Sequence, residues 1–138
     1  MKLTLLGTGC PSVDYKRCGS SNLISTKNTK ILVDCGSGVT QRLNQSGNSS
    51  AEIDALLLTH LHTDHVIDLY QLIVSSWHFD RNSIWKIYGP KGSKKFIDKI
   101  FLAWKDEREL RINYEKRKSI KALKYKVYEF NKEGNIKI

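Results

Sequence analysis

Apolar and polar positions along the chain follow two periods, and the stretches with each period alternate. Short apolar runs bounded by Gly, Pro, Asn or Ser predict β-strands, whereas apolar residues at offsets of three and four predict helices. Strands are predicted at residues 2–6, 21–25, 30–34, 53–59, 83–88 and 124–130, the last in a hairpin with 135–138. Helices are predicted at residues 39–45, 66–77 and 96–104. This alternation predicts an α/β fold in one domain.

Two of these strands carry apolar side chains on both faces. In residues 31–33 and 55–58 the apolar run is unbroken by any polar residue. Strands of that kind are typical of parallel sheets that helices cover on both sides. We therefore expect both faces of these strands to be covered.

The composition is that of an ordered protein without a membrane-spanning segment. Of the 138 residues, 40% are hydrophobic and 27% are charged, which is ordinary for a folded domain. No apolar run approaches the roughly 20 residues that a span requires, and no secretory signal is visible. The three cysteines are an odd number and indicate no closed disulfide framework. We expect a cytoplasmic protein in which Cys35 is a packing residue.

The net charge of +9 is concentrated in the second half of the chain. Residues 1–80 contain six Lys and Arg against seven Asp and Glu, whereas residues 81–138 contain 17 against seven. Such an asymmetry is typical of a surface that binds a polyanion. A lysine-rich surface that only keeps the protein solvated is the alternative, and the sequence leaves both open.

Three of the four histidines lie within six residues, where a predicted strand passes into a helix. His60 and His62 are two apart, so in extended backbone their side chains project to the same side. Asp64 and His65 follow at the start of the helix, where the turn can bring them to the same point. Imidazole and carboxylate are ligands for zinc, manganese or iron, and four in so short a loop favour two neighbouring ions. A chance cluster with a helix-capping aspartate is the alternative, and the isolated His78 is predicted to be an exposed helix-end residue.

At these residues the chain resembles a known superfamily. The stretch from Thr59 to His65 reads Thr-His-Leu-His-Thr-Asp-His, which is similar to the signature of the metallo-β-lactamase superfamily. The runs 6–9, 33–38 and 87–90 follow in the order seen in its ribonuclease Z and arylsulfatase-like branch. The resemblance extends to about residue 101 and, more faintly, to the predicted hairpin at the end.

The resemblance implies a metallo-β-lactamase-like αββα sandwich, of which this chain would form the N-terminal αβ half. It implies that His60 and His62 bind a first zinc ion and that Asp64 and His65 bind a second, with manganese or iron as alternatives. Asp34 would lie beneath the site and orient the ligands by hydrogen bonds. Hydroxide activated by the two ions would cleave a phosphodiester, with RNA the expected substrate, and Asp64 would accept a proton. Relatives of this kind are expected to be homodimers.

The resemblance also implies that part of the site is missing. The remaining ligands of the superfamily lie in a C-terminal half, and no histidine follows His78. We therefore expect residues 1–138 to be a single incomplete domain, inactive by itself, with one sheet face exposed through which it aggregates or dimerises.

The substrate is less sharply indicated than the metal site. Where transfer-RNA-processing relatives have a Gly-Leu-Pro-Gly-like run, residues 67–71 read Ile-Asp-Leu-Tyr-Gln, which weakens the case for transfer RNA processing. An arylsulfatase, a cyclic-nucleotide phosphodiesterase and a non-catalytic metal- or RNA-binding module are the alternatives. The substrate mouth is predicted to include Lys16, Arg17, Ser20 and Ser21.

Overall fold

Six strands form one mixed sheet whose strand order follows the chain. The computed structural model describes residues 1–131. The strands are β1 (Lys2–Gly7), β2 (Ser21–Ser25), β3 (Lys30–Val33), β4 (Ala55–Leu57), β5 (Trp85–Pro90) and β6 (Tyr125–Phe130). The first three are antiparallel neighbours, and β3 to β6 run parallel. All six predicted strands are therefore present, and the predicted second strand of a hairpin at 135–138 lies outside the described residues.

Helices connect the parallel strands, which confirms the α/β class. They are α1 (Val39–Gln45), α2 (Thr63–Val66), α3 (Leu69–His78), α4 (Ser93–Ala103) and α5 (Lys105–Glu115), with 3₁₀ turns at Ser50–Glu52 and Lys121–Leu123. The predicted helices at 39–45 and 96–104 correspond to α1 and α4, and α5 was not predicted. Within residues 1–131, no helix combines the length and apolarity that crossing a membrane requires.

The single helix predicted at 66–77 is two helices with a break at residues 67–68. The break arises because Asp68 bonds outside its own helix. Its backbone N–H donates to the carbonyl of Cys35 at 3.1 Å, and its Oδ2 accepts from the backbone N–H of Thr40 at 2.7 Å. Burial raises the pKa of this carboxyl. The start of α3 is thus tied to the loop after β3 and to α1.

The hydrophobic core lies between the helices and one face of the sheet. It contains Leu23, Leu32, Leu56 and Ile87 from the strands and Leu43, Leu72, Ile73, Trp77, Ile97 and Phe101 from the helices. Cys35 is completely buried among them, in agreement with the predicted packing role. Burial, with Asp68 and Asp34 nearby, raises the pKa of its thiol well above the usual range.

The opposite face of the sheet carries no helix among the described residues, and we call it the open face. Strand register places on this face Leu3, Leu5, Ile24, Ile31, Val33, Leu57, Tyr88 and Tyr128. Leu3 and Leu5 are more than 60% exposed, and Ile31 and Val33 are half-buried. The prediction that β3 is covered on both faces is therefore wrong, because the helices all pack on the other side.

Candidate metal centre

The candidate ligands lie where two neighbouring parallel strands end. Asp34 follows β3 directly, and His60 and His62 lie in the loop after β4. Asp64 and His65 belong to the first turn of α2. Because β3 and β4 are parallel neighbours, their carboxyl ends meet at one edge of the sheet, where sites in α/β proteins commonly form.

The structure brings the predicted ligand residues into contact. The ring centroids of His60 and His65 are 4.0 Å apart, and those of His60 and His62 are 4.6 Å apart. Asp64 Oδ2 lies 3.4 Å from His65 Nε2. Asp64 Oδ1 is buried and has no hydrogen-bond partner among the described residues, which is costly for a carboxylate unless a cation or donor completes it.

The chemistry of this donor set fits a zinc-like ion, although the geometry is not that of a formed site. Within residues 1–131, no three His, Cys, Asp or Glu side chains are so arranged that they could hold a metal ion as they stand. Imidazole and carboxylate, the groups that meet here, are nevertheless the ligand types that zinc and manganese take. The assignment of His60, His62, Asp64 and His65 as ligands therefore stays a prediction.

Asp34 lies beneath the histidines and is almost completely buried. Its Oδ2 is 2.8 Å from His65 Nδ1, and its Oδ1 accepts from the backbone N–H of Thr59 at 2.8 Å. Its own backbone N–H donates to the carbonyl of Leu57 in the adjacent strand. This is the contact expected of a group that orients a ligand, since it holds one ring nitrogen of His65 and leaves the other facing the site.

Sequence analysis did not identify Thr59 as part of the site. Its hydroxyl lies 3.0 and 2.8 Å from the two carboxylate oxygens of Asp34 and 3.0 Å from His60 Nδ1. The only sequence signal was its place immediately before His60. Its partner Asp34 is 25 residues away, and only the pairing of β3 with β4 brings the two together.

Close backbone packing explains the glycine after Cys35. A Cβ on Gly36 would lie 2.2 Å from the carbonyl oxygen of Asp64, closer than any real contact. Beside it, the backbone N–H of Cys35 donates to the carbonyl of His65 at 2.7 Å. The glycine thus lets the loop after β3 lie directly against the first turn of α2, which fixes the backbone that carries Asp64 and His65.

A cavity of about 420 Å³ lies beside Asp64 and is bounded by the loop of residues 10–19. Arg17 lines it, and Lys16 lines a neighbouring cavity of about 400 Å³ that Arg17 also borders; their role in a substrate mouth stays a prediction. The prediction for Ser21 is wrong: its side chain is fully buried, and its hydroxyl donates to the Asp34 carbonyl at 2.7 Å. Ser20 contributes a carbonyl that accepts from the N–H of Gly36.

His78 lies apart from the site, as predicted. It is the last residue of α3, and its Nδ1 is 2.9 Å from the carbonyl of Val74. Its Nε2 is 3.1 Å from a carboxylate oxygen of Glu115 on α5. The side chain is one-third exposed, so it links two helices rather than standing free at a helix end.

Known proteins resemble this chain in both sequence and structure. The family of the anti-Pycsar protein Apyc1 matches residues 1–123. A ribonuclease Z from Mycobacterium sp. (strain KMS) is 39% identical over 106 residues, which are 75% of this chain and 37% of that protein. A ribonuclease Z from Mycolicibacterium paratuberculosis is 42% identical over 100 residues, which are 70% of this chain and 36% of that protein.

Solved structures give the same result for the fold. The short form of human tRNase Z superposes with a TM-score of 0.70 at 27% identity, covering 94% of this chain and 44% of that one. The metallo-β-lactamase fold protein YhfI from Bacillus subtilis gives 0.69 at 20% identity, covering 99% of this chain and 47% of that one.

These comparisons confirm the predicted superfamily and its ribonuclease Z-like branch. The chain spans a little over one third of the curated relatives that it matches. The matched residues include the histidine-rich loop, Asp34 and the strands that carry them. The chain has a metallo-β-lactamase fold and belongs to the family of the anti-Pycsar protein Apyc1.

Proposed function

We propose that this chain carries one part of the site of a metal-dependent phosphodiesterase of the ribonuclease Z type. In this proposal His60 and His62 hold one ion, and Asp64 and His65 hold a second. The observation that carries it is the meeting of these side chains: the three imidazole rings contact one another, and Asp64 Oδ2 lies 3.4 Å from His65 Nε2. Zinc is the proposed ion, with manganese and iron as alternatives.

Metal ions bound here would activate water at neutral pH and neutralise charge on a phosphodiester. The chain's own residues have separate tasks. Asp34 holds His65 in place through Nδ1. Asp64, which lines the cavity, would accept the proton released by the attacking water. Arg17, which lines the cavity beside Asp64, attracts the anionic substrate.

RNA is the substrate class that we favour. Curated relatives at 39% and 42% identity are ribonucleases Z, and residues 81–138 carry the basic excess that would attract a polyanion. A cyclic-nucleotide phosphodiesterase is the second candidate. It is favoured by the cavity of about 420 Å³ beside Asp64, a size typical of small-ligand sites.

Metal binding tests the site directly. Zinc binding to the purified chain is measured by equilibrium dialysis for the wild type, for the double variant His60→Ala/His62→Ala, and for His78→Ala. We expect the double variant to lose at least about tenfold in affinity and the His78 variant to match the wild type, because His78 lies outside the site. Equal affinities in all three proteins would refute the metal assignment.

Substrate class is tested with the metal-loaded protein. Because the chain spans 37% of the Mycobacterium ribonuclease Z, it is assayed alone and fused to the remaining part of that protein. The substrates are bis(p-nitrophenyl) phosphate, an RNA with a 3′ extension, 3′,5′-cyclic nucleotides and an aryl sulfate. We expect the fused protein, and not the chain alone, to hydrolyse a phosphodiester, and we expect Asp64→Asn to abolish this hydrolysis. Cleavage of the aryl sulfate alone, or salt-dependent RNA binding without turnover, would contradict the proposal.

A further inference from the structure

We propose that Thr59 is a positioning residue whose hydroxyl fixes the proton on one ring nitrogen of His60. The inference rests on the metal site proposed above, because the fixed nitrogen decides which nitrogen of His60 can bind an ion. It follows from counting the protons around the buried Asp34 carboxylate, where Thr59 and two histidines meet.

An ionised carboxylate accepts hydrogen bonds and has none to donate. The Thr59 hydroxyl lies 3.0 Å from Asp34 Oδ1 and 2.8 Å from Oδ2. The backbone N–H of the same threonine donates to Oδ1 at 2.8 Å, so Thr59 is held by two of its own groups. Because a hydroxyl has only one proton, Thr59 must use that proton on Asp34.

The Thr59 oxygen is then left with lone pairs only. His60 Nδ1 lies 3.0 Å from this oxygen, so the contact is a hydrogen bond only if His60 Nδ1 carries the proton. His65 Nδ1 lies 2.8 Å from Asp34 Oδ2 and must carry its proton for the same reason. Asp34 therefore sets the tautomer of His65 directly and that of His60 through Thr59.

Metal binding requires a neutral ring, and in a neutral ring with its proton on Nδ1 the other nitrogen, Nε2, carries a lone pair. This nitrogen in His65 lies 3.4 Å from Asp64 Oδ2, so in the neutral tautomer a lone pair faces a carboxylate oxygen. A cation relieves such an arrangement. A ring whose Nδ1 is bonded away from the site is pre-organised to bind a metal through Nε2. In this way one buried carboxylate prepares two of the proposed ligands.

The test compares Thr59→Val, which removes the hydroxyl at nearly constant shape, with Thr59→Ser, which keeps it. Nitrogen-15 NMR of the metal-free chain, at a pH where the spectra show neutral rings, reports which ring nitrogen of each histidine carries the proton. In the wild type and in Thr59→Ser we expect His60 and His65 to carry it on Nδ1. In Thr59→Val we expect His60 to become a mixture of tautomers, while His65 stays unchanged because its bond to Asp34 remains.

Zinc affinity is the second readout. Thr59→Val is expected to bind about 10- to 100-fold more weakly than the wild type, the usual effect of losing a group that orients a ligand, and Thr59→Ser is expected to stay close to the wild type. A wild-type His60 protonated on Nε2, or a Thr59→Val variant with unchanged tautomers, would overturn the inference. Absence of zinc binding in the wild type would instead count against the proposed function, since the tautomer measurement needs no metal.

Discussion

Two aspartates adopt the left-handed backbone conformation, and their surroundings differ completely. Asp34 has φ 61° and Asp80 has φ 58°, in a region that Asp and Asn enter more easily than other side chains do. The Asp34 carboxylate is buried and accepts hydrogen bonds from Thr59 and His65. The Asp80 side chain is 76% exposed at the surface, with Arg117 at 3.5 Å. The two positions therefore share the same unusual backbone conformation, but only Asp34 accepts buried hydrogen bonds.

Comparing Asp34 with Asp80 separates two contributions to the free energy of unfolding: the hydrogen bonds of the Asp34 side chain and the left-handed backbone conformation. In Asp34→Asn one acceptor oxygen becomes an NH₂ group, so at least one of the buried donors loses its partner. We expect the free energy of unfolding to fall by about 1–3 kcal/mol. Asp80→Asn is expected to change it by less than about 0.5 kcal/mol. Urea unfolding followed by circular dichroism measures both, and an equal loss in the two variants would assign the effect to the backbone.

The motif predicted the members of the candidate site better than their contacts. His60, His62, Asp64 and His65 meet as the spacing indicates, because local backbone geometry decides their positions. Ser21 was wrongly predicted to line the substrate mouth, and Thr59 was not identified at all, because each contacts Asp34 across neighbouring strands. Such contacts depend on strand pairing, which a short local pattern does not encode.

At the scale of elements, a buried guanidinium joins the 3₁₀ turn at Ser50–Glu52 to the start of β5. Arg81 is 4% exposed. It donates to the carbonyls of Ala51 and Ile53 on one side and to those of Ser83 and Ile84 on the other. Its guanidinium lies 4.2 Å from the Trp85 ring centroid. Burial lowers its pKa to about 10, so it stays charged at neutral pH and needs these acceptors.

Replacing this arginine by lysine keeps the positive charge and removes the planar guanidinium with its several N–H donors. A lysine cannot donate to carbonyls on both sides at once, so Arg81→Lys is expected to lower the free energy of unfolding by about 2–4 kcal/mol. The matched control is Arg111→Lys on α5, where the arginine pairs with Glu107 and Glu115 at the surface. That change is expected to cost less than about 0.5 kcal/mol. Similar chemical denaturation midpoints for the two variants would contradict this account.

Helix α5 shows why one element was missed. It has no buried residue, so the apolar stripe that revealed α3 and α4 is absent. Its partly buried Ile112 packs against the core, and polar contacts add to this: Glu107 accepts from the Tyr70 hydroxyl at 3.2 Å, and Glu115 contacts His78. Strand β6 was predicted from its alternation, but its parallel pairing with β5 depends on the helices between them, which bring the chain back to the same edge.

At the scale of the whole molecule, the sheet is asymmetric. One face forms the core with the helices, and the open face keeps Leu3 and Leu5 more than 60% exposed on the edge strand β1. Apolar side chains from the neighbouring strands continue this surface by strand register. Contiguous apolar surfaces of this kind drive association, and an exposed edge strand adds unpaired backbone groups beside them.

We therefore expect the isolated chain to associate through the open face, and the homodimer expected from the resemblance stays a prediction. Sedimentation velocity over a concentration series should show a rising average mass for the wild type. The variant Leu3→Lys/Leu5→Lys should remain monomeric at the same concentrations, because two charges on the face oppose its burial. The control is Leu102→Lys, which changes a leucine that is 70% exposed but lies on α4, away from the open face. That variant should associate like the wild type. A wild-type chain that stays monomeric throughout, or an equal effect of the two changes, would show that the open face does not drive association.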